Sequence, residues 1–323
     1  MRPTDCDLSI VTVTYNSRHV IEACLASLVA GVGTLSVEVI VVDNASTDGT
    51  REIVAHHPDV RLIRNARNLG FAKACNVGID ATRGSHVLLL NPDTIVTPDA
   101  FEQLVAALEK FADVGLVGPT FLNPMGDAVR PALERAPSVG WLFSRLTPAK
   151  YFLRLRRKQP WRPPADTPTT AGYLLGACLL IRRSMLEQVG RLDEGYFLYW
   201  EDIEYSRRAI ANGWKLLWTS TAAVCHARAQ STERVDPGRR HWFSVIGARR
   251  YFQQTWRPVP FAVLWQLFKV LHLAGVVATW FESCVKTKAY TIAGRHARAQ
   301  RHRQRWYEAT AFLSDYWWSF LRL

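Results

Sequence analysis

Four polar clusters in the chain have residue types suited to acid–base or phosphate chemistry. Glu201-Asp202-Ile203-Glu204 opens a helical pattern directly after the aromatic run Tyr196-Phe197-Leu198-Tyr199-Trp200. Successive helical residues diverge by ~100°, so at most one of Glu201 and Asp202 points squarely into a given pocket. The positive end of the helix dipole favours an ionised carboxylate, which predicts a base that is deprotonated near neutral pH. Acids in a first helical turn also occur simply as an answer to that dipole. Asn91-Pro92-Asp93 ends the apolar run Val87-Leu88-Leu89-Leu90 and brings an amide oxygen and a carboxylate out together. A hard divalent cation bridging a diphosphate takes one or two such oxygens, while a type I turn uses the same residues for its own geometry. Asp43-Asn44-Ala45-Ser46-Thr47-Asp48-Gly49 follows a hydrophobic strand pattern. It reads either as a helix cap or as an acid placed to accept from a nucleobase N–H or a ribose hydroxyl. Finally, His226 follows Ala222-Ala223-Val224-Cys225. It is a structural strand-end imidazole or a metal ligand that joins Asp93.

The elements that must carry these clusters are legible in the first hundred residues. Leu8–Val13, Val37–Val42, Val60–Ile63 and His86–Leu90 read as strands, each followed by a polar turn and usually a helix-compatible stretch. That alternation predicts an α/β fold around a mostly parallel, Rossmann-like sheet. In such sheets ligands sit beyond the strand C-termini, where Thr14-Tyr15-Asn16-Ser17, the Asp43 turn and Asn91-Pro92-Asp93 converge. A helix is expected over 98–110, a strand over 114–118, a loop over the basic, Pro-rich 141–170, and helices near 184–189 and from Glu201 to Asn212-Gly213. Gly-x-Gly-x-x-Gly and Walker patterns are both absent, which argues against a dinucleotide dehydrogenase or a P-loop NTPase.

With 323 residues, 48% hydrophobic, the chain is long enough for a sizeable core. Its charge of +12 is uneven: residues 1–150 hold 13 Lys+Arg against 16 Asp+Glu, and residues 151–323 hold 27 against 12. All 12 Trp lie from Trp141 onward. A basic, Trp-rich region suits an anionic membrane surface or a nucleic acid. The six cysteines are scattered without a C-x-x-C, the pattern of reduced cytosolic thiols. The N-terminus shows no signal-peptide core, so secretion is not expected. The apolar tract 259–281 is interrupted by Gln266, Lys269 and His272, which favours an interfacial or buried helix over a span.

Taken in order, Val11-Thr12-Val13-Thr14-Tyr15-Asn16, Val41-Val42-Asp43-Asn44-Ala45-Ser46, Asn68-Leu69-Gly70-Phe71 through Asn76, Leu89-Leu90-Asn91-Pro92-Asp93 and the run Gly176 to Glu204 resemble the family 2 glycosyltransferases of the GT-A fold. Within that family they are most similar to the bacterial rhamnosyltransferase-like group, over about residues 8–235. The resemblance implies a catalytic domain over 1–235, with a nucleotide-sugar half (1–97) and an acceptor half (98–235), followed by a helical extension (236–323). It implies that Thr14, Asn16, Asp43 and Ser46 lie at the nucleoside, and that Asn68, Gly70, Asn76 and Asn91 line the donor cleft. Asp93, with His226 as a late ligand, would hold Mn²⁺ or Mg²⁺. Asn91-Pro92-Asp93 stands where many relatives have Asp-x-Asp, so one carboxylate is missing. Asp202 is the implied general base, with Glu201 as fallback, in an inverting, non-processive transfer. The implied donor is deoxythymidine-diphosphate (dTDP) rhamnose first and a uridine-diphosphate sugar second, with a glycan or lipid-linked acceptor in cell-envelope synthesis.

Two other readings compete. A processive polysaccharide synthase shares the catalytic domain but carries Gln-x-x-Arg-Trp, and here His302-Arg303-Gln304-Arg305-Trp306 has His in place of Gln. A nucleic-acid binder would use Arg295, Arg298, Arg301, Arg303 and Arg305, yet the tail has no base-reading motif. The tail is better matched to anionic lipid, with the enzyme peripheral on the cytoplasmic face of the inner membrane, and packing on the catalytic domain or a homodimer contact as the other uses of 259–281.

Overall fold

A computed structural model describes residues 6–123, 125–129, 132–133, 137, 169–226, 236–256, 258–293 and 295–323. The predicted loop over 141–170 lies outside these residues apart from 169–170. The chain divides near residue 235 into two compact units.

The first unit begins with β1 (Leu8–Thr14), α1 (Ile21–Val32), β2 (Val37–Asp43), α2 (Thr50–Ala55), β3 (Val60–Arg64), α3 (Phe71–Asp80), β4 (His86–Leu90), β5 (Thr94–Val96) and α4 (Ala100–Glu109). It continues with β6 (Val114–Leu122), β7 (Ala128–Val129), β8 (Ala132–Leu133), β9 (Thr169–Thr170), β10 (Tyr173–Leu174), β11 (Cys178–Arg182), α5 (Arg183–Val189), α6 (Glu201–Ala211) and β12 (Lys215–His226). The main sheet runs β3-β2-β1-β4-β11-β6-β12-β5. Strands β3, β2, β1 and β4 are mutually parallel, and β11 joins them antiparallel.

Burial explains why the first strands were legible. All seven residues of β1 and all five of β4 are buried, because helices cover both faces of the sheet, so each strand reads as a continuous run rather than an alternation. One apolar cluster packs α1 and α4 on one side, through Ile21, Leu25, Phe101 and Leu104. The other packs α3, α5 and α6, through Cys75, Ile79, Met185 and Tyr205.

Strands β12 and β5 meet beside Asp93. β12 is irregular: its register with β6 shifts between Trp218 and Ala223, opposite Gly118 and Thr120. Pro119, which has no N–H for a ladder, sits at that shift, and so β6 passes through it and runs on to Leu122. β5 is a three-residue edge strand held only by β12. Their pairing sets His226 opposite Thr94, next to Asp93.

Thr14 pairs with Asp43 and Asp43 with Arg64, so the parallel strands end level and their turns share one edge. Asn44 ties that edge together. Its Nδ2 donates to Asn68 Oδ1 (2.9 Å) and to the Gly70 carbonyl (3.1 Å), and its Oδ1 accepts from Asn65 Nδ2 (3.1 Å) and Leu69 N (2.9 Å). The side chain is almost fully buried, so a cut bond here strands a polar group away from water.

The second unit is helical: α7 (Pro237–Thr255), α8 (Pro258–Ile292), α9 (His296–Asp315) and α10 (Trp317–Arg322). Asp236 caps α7, accepting from Arg239 N at 2.8 Å, with Pro237 in the first turn. Its core joins Phe252, Phe268, Phe312 and Phe320, all buried, around His241 and His272, whose Nε2 atoms lie 2.9 Å apart.

Asn44→Ala is expected to lower unfolding free energy by about 2–4 kcal/mol, from four lost hydrogen bonds and the partners left buried. Urea denaturation measures it as a lower midpoint at unchanged slope. Asn44→Asp should not restore stability, since it removes both donors.

Candidate functional site

Asp43 closes the turn at the end of β2. Its Oδ2 accepts from Ser46 N (3.0 Å) and from the Arg51 guanidinium (2.5 Å), and its Oδ1 accepts from Thr14 Oγ1 (3.2 Å). Asp43 is fully buried, so in this structure it anchors the turn and holds Arg51, which is one third exposed, at the sheet edge. Asn16 sits with φ +52°, a left-handed conformation that Asn tolerates, and this lets its side chain join the same turn. Its N–H donates to Ser46 Oγ (2.9 Å) and its Oδ1 accepts from Thr47 N (2.8 Å). Thr14, Asn16, Asp43 and Ser46 therefore form one bonded cluster.

Asn68 and Gly70 belong to the latch made by Asn44. Gly70 has φ +85°, and a Cβ there would meet the Phe197 carbonyl at 2.6 Å, while Phe71 N donates to that same carbonyl (2.7 Å). Only glycine allows this approach, which fixes the loop leading into α6. Asn76 holds the same loop from below. Its Nδ2 donates to the Leu192 carbonyl (2.9 Å) and Glu194 Oε1 (3.2 Å), and its Oδ1 accepts from Leu192 N (3.1 Å). Both ends of a nearly fully buried amide are thus spent on residues 192–194, so Asn76 acts here as a clamp rather than as lining of an open donor cleft.

At the end of β4, Asn91 N donates to the Ala177 carbonyl (2.9 Å), which extends the β4–β11 pairing beyond Leu90 and Cys178. The neighbouring Gly176 N donates to Asp202 Oδ2 (3.0 Å). Two backbone steps therefore connect the Asn-Pro-Asp turn to the candidate base. Gly176 also comes close enough that an added Cβ would sit 3.3 Å from Asp202 Cβ.

Tyr199 and Trp200 both adopt positive φ, +68° and +76°, immediately before α6. Two consecutive left-handed non-glycine residues are costly, and such strain clusters at functional sites. The turn they make sends Glu201 inward and leaves Asp202 half-buried, its Oδ1 accepting from Ile203 N (2.8 Å). Glu201 Oε2 is buried with no hydrogen-bond partner among the described residues. Burial, then the adjacent Asp202 carboxylate, pushes the Glu201 carboxyl up to about 8. Burial also raises Asp202, opposed by the N–H donors of Gly176 and Ile203. The helix dipole alone predicted ionisation of either acid, but desolvation outweighs it for both. Glu204 takes no part: it pairs with Arg208 (2.9 Å), which in turn donates to the carbonyls of Val189 and Arg191.

Asp93 and His226 do come together, with Oδ1 and Nε2 3.3 Å apart. No group of three or more His, Cys, Asp or Glu suited to a metal occurs among the described residues. Asn91 Oδ1 is a further acceptor, buried and without a hydrogen-bond partner among the described residues. A carboxylate and an imidazole at the ligand-binding edge fit a divalent cation that draws its remaining oxygens from a diphosphate.

Asn44, Arg51, Gly176 and Ala177 escaped the sequence reading. Asn44, Gly176 and Ala177 stood inside the quoted motifs without being assigned a role, and Arg51 left no signal.

Residues 9–190 match the family model described as Glycosyl transferase family 2. The chain is 34% identical over 252 residues to the N-acetylglucosaminyl-diphospho-decaprenol L-rhamnosyltransferase of Mycobacterium tuberculosis, covering 71% of this chain and 78% of that one. It is 32% identical over 209 residues to a low-salt glycan biosynthesis hexosyltransferase of Haloferax volcanii, covering 63% and 61%. Among solved structures, a mannosyltransferase of Pyrobaculum calidifontis in complex with GDP-Man and Mn²⁺ matches with TM-score 0.52 and 18% identity, over 96% of this chain and 88% of that one. GalNAc-T7 with UDP, GalNAc and Mn²⁺ matches with TM-score 0.51 and 20% identity, over 68% and 44%. These structural likenesses establish the GT-A fold. With a family model spanning more than half of its length, the chain belongs to glycosyl transferase family 2.

Proposed function

We propose that the protein transfers a rhamnosyl group from dTDP-rhamnose to a lipid-linked or glycan acceptor in cell-envelope synthesis, with inversion at the anomeric carbon. The observation that carries the chemistry is Asp202, a half-buried carboxylate held by the Gly176 N–H at the ligand-binding edge beside the fully desolvated Glu201. The rhamnosyl preference is supported by the 34% identical relative, which acts on a lipid-linked sugar.

In this reading Asp202 accepts the proton of an acceptor hydroxyl as that oxygen forms a bond to the anomeric carbon. The bond from that carbon to the diphosphate oxygen breaks on the opposite face, and its electron pair leaves with the nucleoside diphosphate. The Glu201 carboxyl, pushed up to about 8 by burial, keeps its proton near neutral pH, while the Gly176 and Ile203 N–H groups favour the ionised form of Asp202. Asp93 and His226 would hold Mn²⁺ or Mg²⁺, and Asn91 Oδ1 offers a further oxygen at that turn. A bound cation supplies Lewis-acid stabilisation of charge on the departing diphosphate. The Thr14–Asp43–Ser46 cluster, with Arg51, positions the nucleoside.

Four outcomes follow from this assignment. Asp202→Asn lowers kcat by ~10²–10⁴, the loss typical of a missing general base, while donor affinity by calorimetry changes little. Glu201→Gln stays near wild-type activity, and the reverse ranking would move the base to Glu201. Because the folded pKa of Glu201 lies above its ordinary 4.5, its contribution to stability falls as pH rises from ~4.5 to about 8. Glu201→Gln should therefore flatten the melting temperature across that window, and an unchanged slope would contradict the burial argument. Asp93→Ala should abolish stimulation of transfer by Mn²⁺ or Mg²⁺, measured as activity against metal concentration.

A further inference from the structure

In the helical unit, α8 and α9 run antiparallel. Tyr290 lies on His302 (ring centroids 5.5 Å apart), Trp280 Nε1 donates to Thr310 Oγ1 (3.0 Å), and Lys269 Nζ donates to the Leu321 carbonyl (2.8 Å). One side of α8 is consumed by this packing and by α7, where His241 meets His272 and Trp256 meets Phe261. Of the three polar residues that interrupt the apolar tract, Lys269 and His272 are on that buried side, and Gln266 is exposed.

The opposite side is apolar and exposed among the described residues. Val263, Leu267, Val270, Val277, Phe281 and Val285 recur every three or four residues or two turns on, and Val263, Val270 and Phe281 are each about two thirds exposed. At 1.5 Å per residue the stripe extends ~33 Å. It is bare of charge until Lys288, where the antiparallel register brings the exposed Arg298, Arg301, Arg303 and Arg305 of α9 alongside. Residues 236–323 carry only four acids against 14 Lys and Arg.

We propose that this face of α8 docks in the plane of an anionic lipid bilayer, with the apolar stripe at the acyl boundary and the α9 arginines on the headgroups. Charge complementarity selects this partner over a second copy of the chain, which would bring a like-charged unit with few acids to answer it. Residues Phe261–Ile292 are long and apolar enough to span a membrane by length and composition. A spanning orientation, however, would carry Arg249 and Arg250 of the packed α7 into hydrocarbon, at several kcal/mol per charge. Lying in plane keeps them on the aqueous side. The inference stands apart from the identity of the donor sugar.

The test is flotation of the full-length protein with vesicles of pure phosphatidylcholine and with vesicles containing phosphatidylglycerol. Binding is expected on the anionic vesicles only, weakened by salt. It should fall about tenfold or more in the doubly substituted Val270→Asp, Val277→Asp protein and in Arg298→Gln, Arg301→Gln, Arg305→Gln. All these side chains are exposed, and unchanged hydrolysis of nucleotide sugar in each variant shows that the catalytic unit is intact. Equal, negligible binding of the wild type to both vesicles would overturn the proposal. So would apolar-face variants that turn a dimer into a monomer, by light scattering, without loss of vesicle binding. Retention in cell membranes after alkaline carbonate would overturn the in-plane arrangement in favour of a span.

Discussion

The antiparallel pairing of β11 with β4 is the contact on which the catalytic unit depends. β4 is the last strand of the parallel run β3-β2-β1-β4, and its C-terminus emits the Asn91-Pro92-Asp93 turn. β11 opens the half that contributes α6. By pairing Leu90 with Cys178 and then Asn91 N with the Ala177 carbonyl, the backbone sets Gly176 at the lip of the sheet, where its N–H reaches Asp202. The candidate base is thus positioned by a main-chain hydrogen bond from the segment that leads into β11. Backbone groups cannot swing between rotamers, so the geometry is held more tightly than a side-chain contact would hold it. A second tie runs from Asn44 through Gly70 to the Phe197 carbonyl and controls how the chain enters α6. The positive φ of Tyr199 and Trp200 is sustained between these two anchors.

Electrostatics at the site follow from that placement. The start of α6 offers a favourable dipole, worth ~0.3–1 kcal/mol near a surface. Burial of a carboxylate without a partner costs more, which is why Glu201 rises while Asp202, with two N–H donors, resists the same trend. The adjacent acids thus sit in unequal environments: Glu201 Oε2 has no hydrogen-bond partner among the described residues, and Asp202 has two N–H donors. The same reasoning separates Asp93 from Asp43. The first faces an imidazole across two strands, and the second is consumed by a guanidinium, a hydroxyl and a backbone N–H.

The parallel half was readable from sequence because strands buried on both faces leave unbroken apolar runs, and because each ends in a polar turn. The start of α6 at Glu201 was readable from its acids. What escaped were relations between distant residues. Nothing local to Thr94 or His226 announces that β5 and β12 pair, though that pairing alone makes Asp93 and His226 neighbours. Asn76 was placed on the donor cleft by its motif, whereas its amide is closed on Leu192, a residue whose side chain gives no hint of a backbone partner. Asn44 stood inside a motif yet looked no different from the capping residues around it. The 259–281 tract was seen as too polar to span, and the helix packing shows where two of its three polar residues go: Lys269 and His272 line the buried side, while Gln266 is exposed.

In the proposed reading Asp202 serves as a base and no glycosyl–enzyme bond forms, so the transfer is a single displacement. The anomeric configuration of the product tests that most directly. One-bond carbon–proton coupling at the anomeric centre, measured by NMR on the product of transfer from dTDP-rhamnose of known configuration, should show the configuration opposite to that of the donor. Retention of the donor's configuration would contradict the role assigned to Asp202.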